Sequence, residues 1–319
     1  MRTTHCLMIA GALLLLTVSS CAAAPKVELI QGKDKVDIKI NGKFFTSYVY
    51  PLTLTKPSLW PLQSPGGVVM TRSFPFKKVE GESTDHPHHM GVFFTYDKVN
   101  NDGFWNNSTY PPQVKHAKIK KMESGEKGTL ATELHWVGKS GQTLLKEDRT
   151  MVFSAGPDQY IVDFEITLTA ANGPVVFDDT KEGMFAVRVA PFLKEKGGTG
   201  EYLSSNGDKT EKKVWGKRAP WVRLQGKIQE KTLGIAIFNH PKSVNYPTYW
   251  HARGYGLFSA NPLGQFAFQK GRKEKNPKPY RLTLQPGKST FFKFRVVVYE
   301  GDRTAAQWNQ HFKGWAAVK

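Results

Sequence analysis

The chain has 319 residues, 45 Lys and Arg against 27 Asp and Glu, and a formal charge of +18. Its two cysteines, Cys6 and Cys21, both sit at the N-terminal end, so the body beyond has no thiol for a disulfide, a thiolate nucleophile or a cysteine-ligated metal. A Gly-x-Ser-x-Gly elbow, a phosphate loop, a dinucleotide glycine fingerprint and a His-Glu-x-x-His pair are all missing, which argues against serine hydrolases, nucleotide enzymes and helical zinc proteases.

The N-terminus reads as a secretory leader. Arg2 supplies the positive region, and Cys6 to Val18 is an apolar run too short to span a bilayer comfortably as a mature helix. Val18-Ser19-Ser20-Cys21 resembles a bacterial lipobox, which predicts a signal peptide over residues 1–20, a lipid on Cys21 and a single domain over 21–319. Ordinary cleavage after Ala22-Ala23-Ala24 would instead leave a soluble periplasmic protein. No second stretch approaches the roughly 20 apolar residues needed to cross a membrane, so a lipid anchor is the one membrane attachment expected. The expected location is the periplasm or outer membrane. For an exported protein, such a positive charge suits an acidic glycan or an anionic membrane surface better than nucleic acid. The plainer account is a lysine-rich solvated surface, with Glu211-Lys212-Lys213 and Lys270 to Lys275 as exposed loops.

Strand signals dominate the rest. Val36, Ile38 and Ile40 alternate with polar residues, Asn41-Gly42 makes a type I′ turn, and Phe44-Phe45 begins the return strand. Lys118–Met122, Thr129–Val137 and Thr143–Phe153 read as a meander. Val162, Phe164, Ile166 and Leu168 form one face of a further strand. Leu233 to Phe238 has the continuous apolar character of a strand buried on both sides. Pro286-Gly287 separates Tyr280–Leu284 from Phe291–Tyr299 as a final hairpin, and Thr304 to Trp315 is spaced for a helix. These elements predict an all-β fold, a large antiparallel β-sandwich from about Val27 to Tyr299 closed by a short C-terminal helix.

Three segments carry candidate chemistry. Asp85-His86-Pro87-His88-His89 places three of the nine histidines on a stiff turn, where Pro87 pushes His86 towards an extended shape. Imidazole can exchange protons, accept hydrogen bonds or ligate a metal, and a structural role is the plain alternative. Tyr249-Trp250-His251-Ala252-Arg253, running on to Tyr255 and Asn261, mixes aromatics with His251 and Arg253 on one strand face. Aromatic faces suit sugar C–H surfaces while Arg and His grip hydroxyls or carboxylates, unless the rings merely pack. In the third segment Glu182 opens a strand leading to Arg188, and Gly183 after it leaves room for close approach of a ligand or backbone. A carboxylate opposite a histidine is the minimum kit for general acid–base work; a solvated turn is the alternative.

At these three segments the sequence resembles a bacterial domain family of unknown function labelled "methane oxygenase PmoA". The matching stretches are Asp85-His86-Pro87-His88-His89-x-Gly91, the strand from Lys181-Glu182-Gly183 to Arg188, and Tyr249 to Gly256 through Asn261-Pro262. The resemblance implies a galactose mutarotase-like supersandwich, in which a histidine and a glutamate serve as acid and base on a sugar. By that analogy His86 or His88 would be the acid and Glu182 the base.

Three functions follow as expectations. The first is a carbohydrate-active epimerase, lyase or hydrolase with His86, His88, Glu182 and His251 as catalytic groups. Asp85, His89, Arg188, Tyr249, Trp250, Arg253 and Asn261 would bind its substrate. The second is a non-catalytic lipoprotein that captures glycan, an acidic one being favoured by the charge. The third is a metal-dependent enzyme. No cofactor is expected, and His86, His88 and His251 are the ligands a divalent ion would use.

Overall fold

The computed structural model describes residues 24–106 and 111–318, so the leader and Cys21 lie outside the described residues. The chain runs β1 (Val27–Gln31), β2 (Lys35–Ile40), β3 (Lys43–Val49), β4 (Ser58–Leu59), β5 (Val92–Tyr96), β6 (Gln113–Glu123), β7 (Gly128–Val137), β8 (Thr143–Gly156) and β9 (Gln159–Ala170). It continues with β10 (Val175–Phe177), β11 (Gly183–Arg188), β12 (Glu201–Ser204), the short helix α1 (Thr210–Val214), β13 (Trp221–Ile228) and β14 (Lys231–Asn239). Then follow β15 (Tyr249–Ala252), β16 (Leu257–Asn261), α2 (Gln265–Gly271), β17 (Leu282–Leu284), β18 (Ser289–Glu300) and α3 (Ala305–Ala316).

Two eight-stranded sheets face each other. The first has the order β1-β2-β3-β4-β5-β11-β16-β15 and the second β12-β13-β14-β18-β9-β8-β7-β6. Every ladder in both is antiparallel. The protein is an all-β antiparallel sandwich with a short C-terminal helix, as its alternation predicts.

The alternation also explains the core. Leu130 and Leu134 of β7, Val162 to Leu168 of β9, and Leu233, Ile235 and Ile237 of β14 point inward against Ile38, Phe94, Phe185 and Phe258 of the other sheet. β14 is buried on its other face as well, where Ala236 and Phe238 lie under Trp308 and Trp315 of α3. That helix starts with a capping box between Thr304 and Gln307, and it closes the β13, β14 and β18 part of the second sheet's outer face. The turn at Asn41-Gly42 has φ of 51° and 75°, the left-handed pair a type I′ hairpin needs.

Two expectations are corrected. Pro286-Gly287 does turn the chain, but β17 pairs with β10 instead of β18. Next to that turn β18 pairs with β9 on one side, and on the other its Phe291 and Lys293 carbonyls accept from the Val244 and His240 amides, so no edge remains there for a hairpin partner. The two lysine-rich clusters are solvent-exposed but touch the short helices α1 and α2, not loops alone.

Candidate functional site

α3 covers the β13, β14 and β18 part of the second sheet's outer face, and the outer face of the first sheet carries a cluster of ionisable groups. Register aligns Phe93 with Ala186, Ala186 with Ser259, and Ser259 with His251, so one row of side chains crosses β5, β11, β16 and β15. Two residues along, Arg188 lies opposite Leu257, and the Arg253 amide donates to the Leu257 carbonyl at 2.8 Å. The two-residue period therefore puts Arg188, His251 and Arg253 on one face. Its apolar floor is Phe93, Trp105, Ala186 and Leu257, with Tyr255 packed against them.

The segment carrying three histidines folds over this floor around Arg72. That buried guanidinium donates to the carbonyls of Phe74, Ser83, Asp85, His86 and His89 at 2.7–3.2 Å. The amide of His89 donates to the His86 carbonyl, closing the turn. His86 has φ of 45°, left-handed rather than the extended shape expected before Pro87. The contacts of Arg72, and a ring stack described below, hold it there against the local preference. Gly91 ends the turn with φ of 56°, and a Cβ there would sit 2.3 Å from the Leu59 carbonyl oxygen, so only glycine fits.

Asp85 organises the charges. Its Oδ1 accepts from Arg72 Nη1 and Arg188 Nη2, each at 2.6 Å, and its Oδ2 lies 2.9 Å from His86 Nδ1. Burial pushes the Asp85 carboxyl up, but Arg188, His86 and Ser83 outweigh it and hold it below its ordinary value. An ionised carboxylate only accepts, so His86 carries its proton on Nδ1 and leaves Nε2 outward. The His86 ring stacks on Tyr255 (5.1 Å, 6°) and on His89 (4.9 Å, 4°). Arg188 lies over the Tyr255 ring at 4.7 Å and Arg253 at 5.7 Å.

His88, His89 and His251 are kept neutral. Burial, reinforced by Lys56, lowers His88 to about 3. His89 is driven down further by burial, with His88 and Arg188 adding to it. Arg188 Nη1 lies 3.4 Å from His89 Nδ1, which makes Nδ1 an acceptor; the Nε2 proton then has no partner among the described residues. His251 is lowered to about 3 by burial, with Lys181 and Arg253 contributing. Its Nδ1 is 4.0 Å from Glu182 Oε2, too far for a hydrogen bond. Glu182 pairs with Lys181 and keeps 22% of its side chain exposed. Burial raises the Tyr255 hydroxyl, Arg253 and Arg188 pull it back, and both Glu182 and Asp85 act on it. Tyr255 thus sits in the field of both carboxylates.

The structure brings Asp85, His86, His88, His89, Arg188 and Arg253 together around Tyr255, with the Glu182–His251 pair on the same sheet face. Three expected residues lie elsewhere. Trp250 is fully buried in the inter-sheet core and stacks on Phe258, so it cannot form a cleft wall. Tyr249 stacks on Phe268 of α2 and accepts from Gln269 at its hydroxyl. Asn261 is fully buried and ties the Thr180 carbonyl to the Leu263 amide. Gly183 makes room for the ring of Tyr96, 2.4 Å from a Cβ built there, and not for a ligand.

Two residues were not found from sequence. Arg72 has no motif around it and acquires its role only through the fold. Lys56 is fully buried between the Phe93 ring and the Trp105 carbonyl, and burial lowers it to about 7. Among the described residues no three His, Cys, Asp or Glu side chains are grouped to hold a metal ion, His86, His88 and His251 included.

The profile of a family of unknown function (DUF6807) matches residues 35–313. The methane-oxygenase label of the resemblance is not shown by this match. No curated protein sequence matches the chain. Among solved structures, the chain is similar to the GH36 alpha-galactosidase AgaB of Geobacillus stearothermophilus. The identity is 10% over 86% of this chain and 40% of that enzyme, with a TM-score of 0.36. The alpha-galactosidase of Lactobacillus brevis is similar at 10% identity over 89% of this chain and 40% of that one, with a TM-score of 0.34. A galactose mutarotase related enzyme of Lactobacillus acidophilus aligns at 8% identity over 87% of this chain and 98% of that one, with a TM-score of 0.28. The chain thus spans about two-fifths of the two galactosidases.

Proposed function

The chain belongs to the family of unknown function DUF6807, and within it we propose a protein that acts on carbohydrate by general acid–base chemistry on the outer face of the first sheet. One observation carries the reading. Two buried arginines converge on one oxygen of Asp85 while its other oxygen orients His86. Burying two guanidinium groups is costly, and a fold that needed only packing would not spend it there.

In this reading His86 and Glu182 are the proton-transfer pair, since both are reachable by substrate while His89 and His251 are buried. Asp85 orients the His86 ring and stabilises the positive charge it gains on taking a proton. One member of the pair takes a proton from the sugar while the other gives one, and the reverse transfers or exchange with water restore both groups before the next cycle. Arg253, beside Tyr255, grips the hydroxyls or a carboxylate of the sugar. His251 lies behind Glu182, its Nδ1 4.0 Å from Oε2. The parallel stack of Tyr255, His86 and His89 also supports a second reading, glycan capture without turnover. We further propose export and lipid anchoring at Cys21, on the strength of Val18-Ser19-Ser20-Cys21.

The test is to incubate the purified protein with neutral and oxidised glycosides, with and without chelator, and to follow products by mass spectrometry and proton exchange by NMR. Chelator-insensitive turnover that His86→Ala and Glu182→Gln each abolish supports the acid–base reading. Binding with no turnover of any sugar supports capture. Turnover that survives both substitutions rejects the acid–base pair.

A further inference from the structure

Beside Arg253 the surface opens into a hollow of about 580 Å³, bounded by α1, the end of α2 and the Lys196 loop. One wall is Trp215, whose ring meets His251 edge-on at 6.4 Å and Phe268 at 5.3 Å. It is pressed against Gly271, where a Cβ would lie 2.4 Å from the indole. Arg272 fixes the same segment by donating to the Trp215 carbonyl at 2.7 Å. Trp215 therefore touches both the hollow and the residue behind Glu182.

The hollow's charges do not cancel. Glu211 is engaged by Lys196 at 3.0 Å and faces Arg253 at 3.4 Å, and Glu195 accepts from the Glu211 amide at 2.7 Å. Lys212 and Arg272 have no carboxylate partner among the described residues, which leaves two positive groups for something outside the protein. Trp215 Nε1 is likewise a donor without a hydrogen-bond acceptor among the described residues. An aromatic wall, two cations without carboxylate partners and one spare donor match an anionic, hydroxyl-rich ligand.

We propose that this hollow is a subsite for an anionic sugar residue, bearing a carboxylate or a sulfate ester, linked to the sugar unit held at His86 and Glu182. The inference rests on the carbohydrate reading above and narrows it to acidic glycans of at least two units.

Calorimetric titration of the full protein with digalacturonate, its carboxyl-reduced counterpart digalactose, and a monosulfated digalactose tests it. An anionic probe should bind about tenfold more tightly than digalactose, and the tighter of the two anionic probes identifies the group recognised. Lys212→Met and Arg272→Met should each erase roughly 3- to 10-fold of that preference. Lys212 is exposed, so its variant carries the test even if Arg272→Met loosens Trp215. Equal affinity for neutral and anionic probes, no binding of any probe, or an anionic preference untouched by both substitutions overturns the subsite. Glu182→Gln separates the two ideas. Turnover that survives it removes the acid–base reading and leaves the Kd pattern standing, whereas a failed Kd pattern leaves the acid–base reading intact.

Discussion

Replacing Asp85 by Asn keeps the shape of the side chain and removes its charge. Arg188 then keeps the amide oxygen of the new side chain as a neutral acceptor, with Ser83 Oγ at 3.2 Å, His89 Nδ1 at 3.4 Å and the face of Tyr255, but no carboxylate. Removing one partner of a fully buried pair costs about 3–5 kcal/mol. Asp85 is 40% exposed, and Arg72 retains five carbonyl acceptors, so water and backbone recover part of that loss. About 2 kcal/mol remains, or roughly 4 °C in Tm for a chain of this length. The pH dependence identifies the cause. The native Asp85 carboxyl is held below its ordinary value, so its contribution is present above the unfolded value of about 4 and is lost as pH falls through the native one. Calorimetric or urea unfolding should therefore show the full gap between native protein and Asp85→Asn at pH 7 and a closing gap below about pH 4. Turnover at pH 7 should fall by roughly 10²-fold or more, because His86 loses its orienting partner. An unchanged Tm at pH 7, or a gap of equal size at pH 7 and pH 3, would refute the argument.

Three further outcomes are expected. His251 sits at about 3 in the native state and near 6.5 unfolded, so the stability it contributes is present above 6.5 and is lost as pH falls towards 3. His251→Asn should flatten the loss of unfolding free energy between pH 6 and pH 4 by up to about 1.4 kcal/mol per pH unit, and an unaltered slope in urea melts rejects this. Gly91→Ala, with φ of 56° and a Cβ 2.3 Å from the Leu59 carbonyl, should cost more than about 2 kcal/mol; a change within about 0.5 kcal/mol contradicts the geometry. Cys21→Ser, tested by membrane fractionation, should release the protein into the soluble fraction, and its retention on the membrane would count against the lipid anchor.

Much of the fold was legible because strand alternation is local. The inward residues of β7, β9 and β14 could be read from a period of two, and the left-handed pair at Asn41-Gly42 from residue type alone. Histidine clustering and the mixed strand at His251 pick out segments that the fold brings to one sheet face, because charged groups in otherwise apolar strands need partners. Pairing partners could not be read in the same way. Nothing near Pro286-Gly287 says that β18 already has both edges occupied, which sends β17 to β10. Trp250 and His251 are adjacent in sequence yet lie on opposite faces, and which face is core depends on the second sheet. Arg72 is 13 residues from Asp85 and Arg188 is 103, and only tertiary folding brings both guanidinium groups to one carboxylate oxygen. Sequence by itself determined the strands and the residue types able to do chemistry, since period and side-chain chemistry are local properties. Tertiary structure alone decided which of those residues share a face, because that depends on register and on charges that must find partners across long separations once water is excluded.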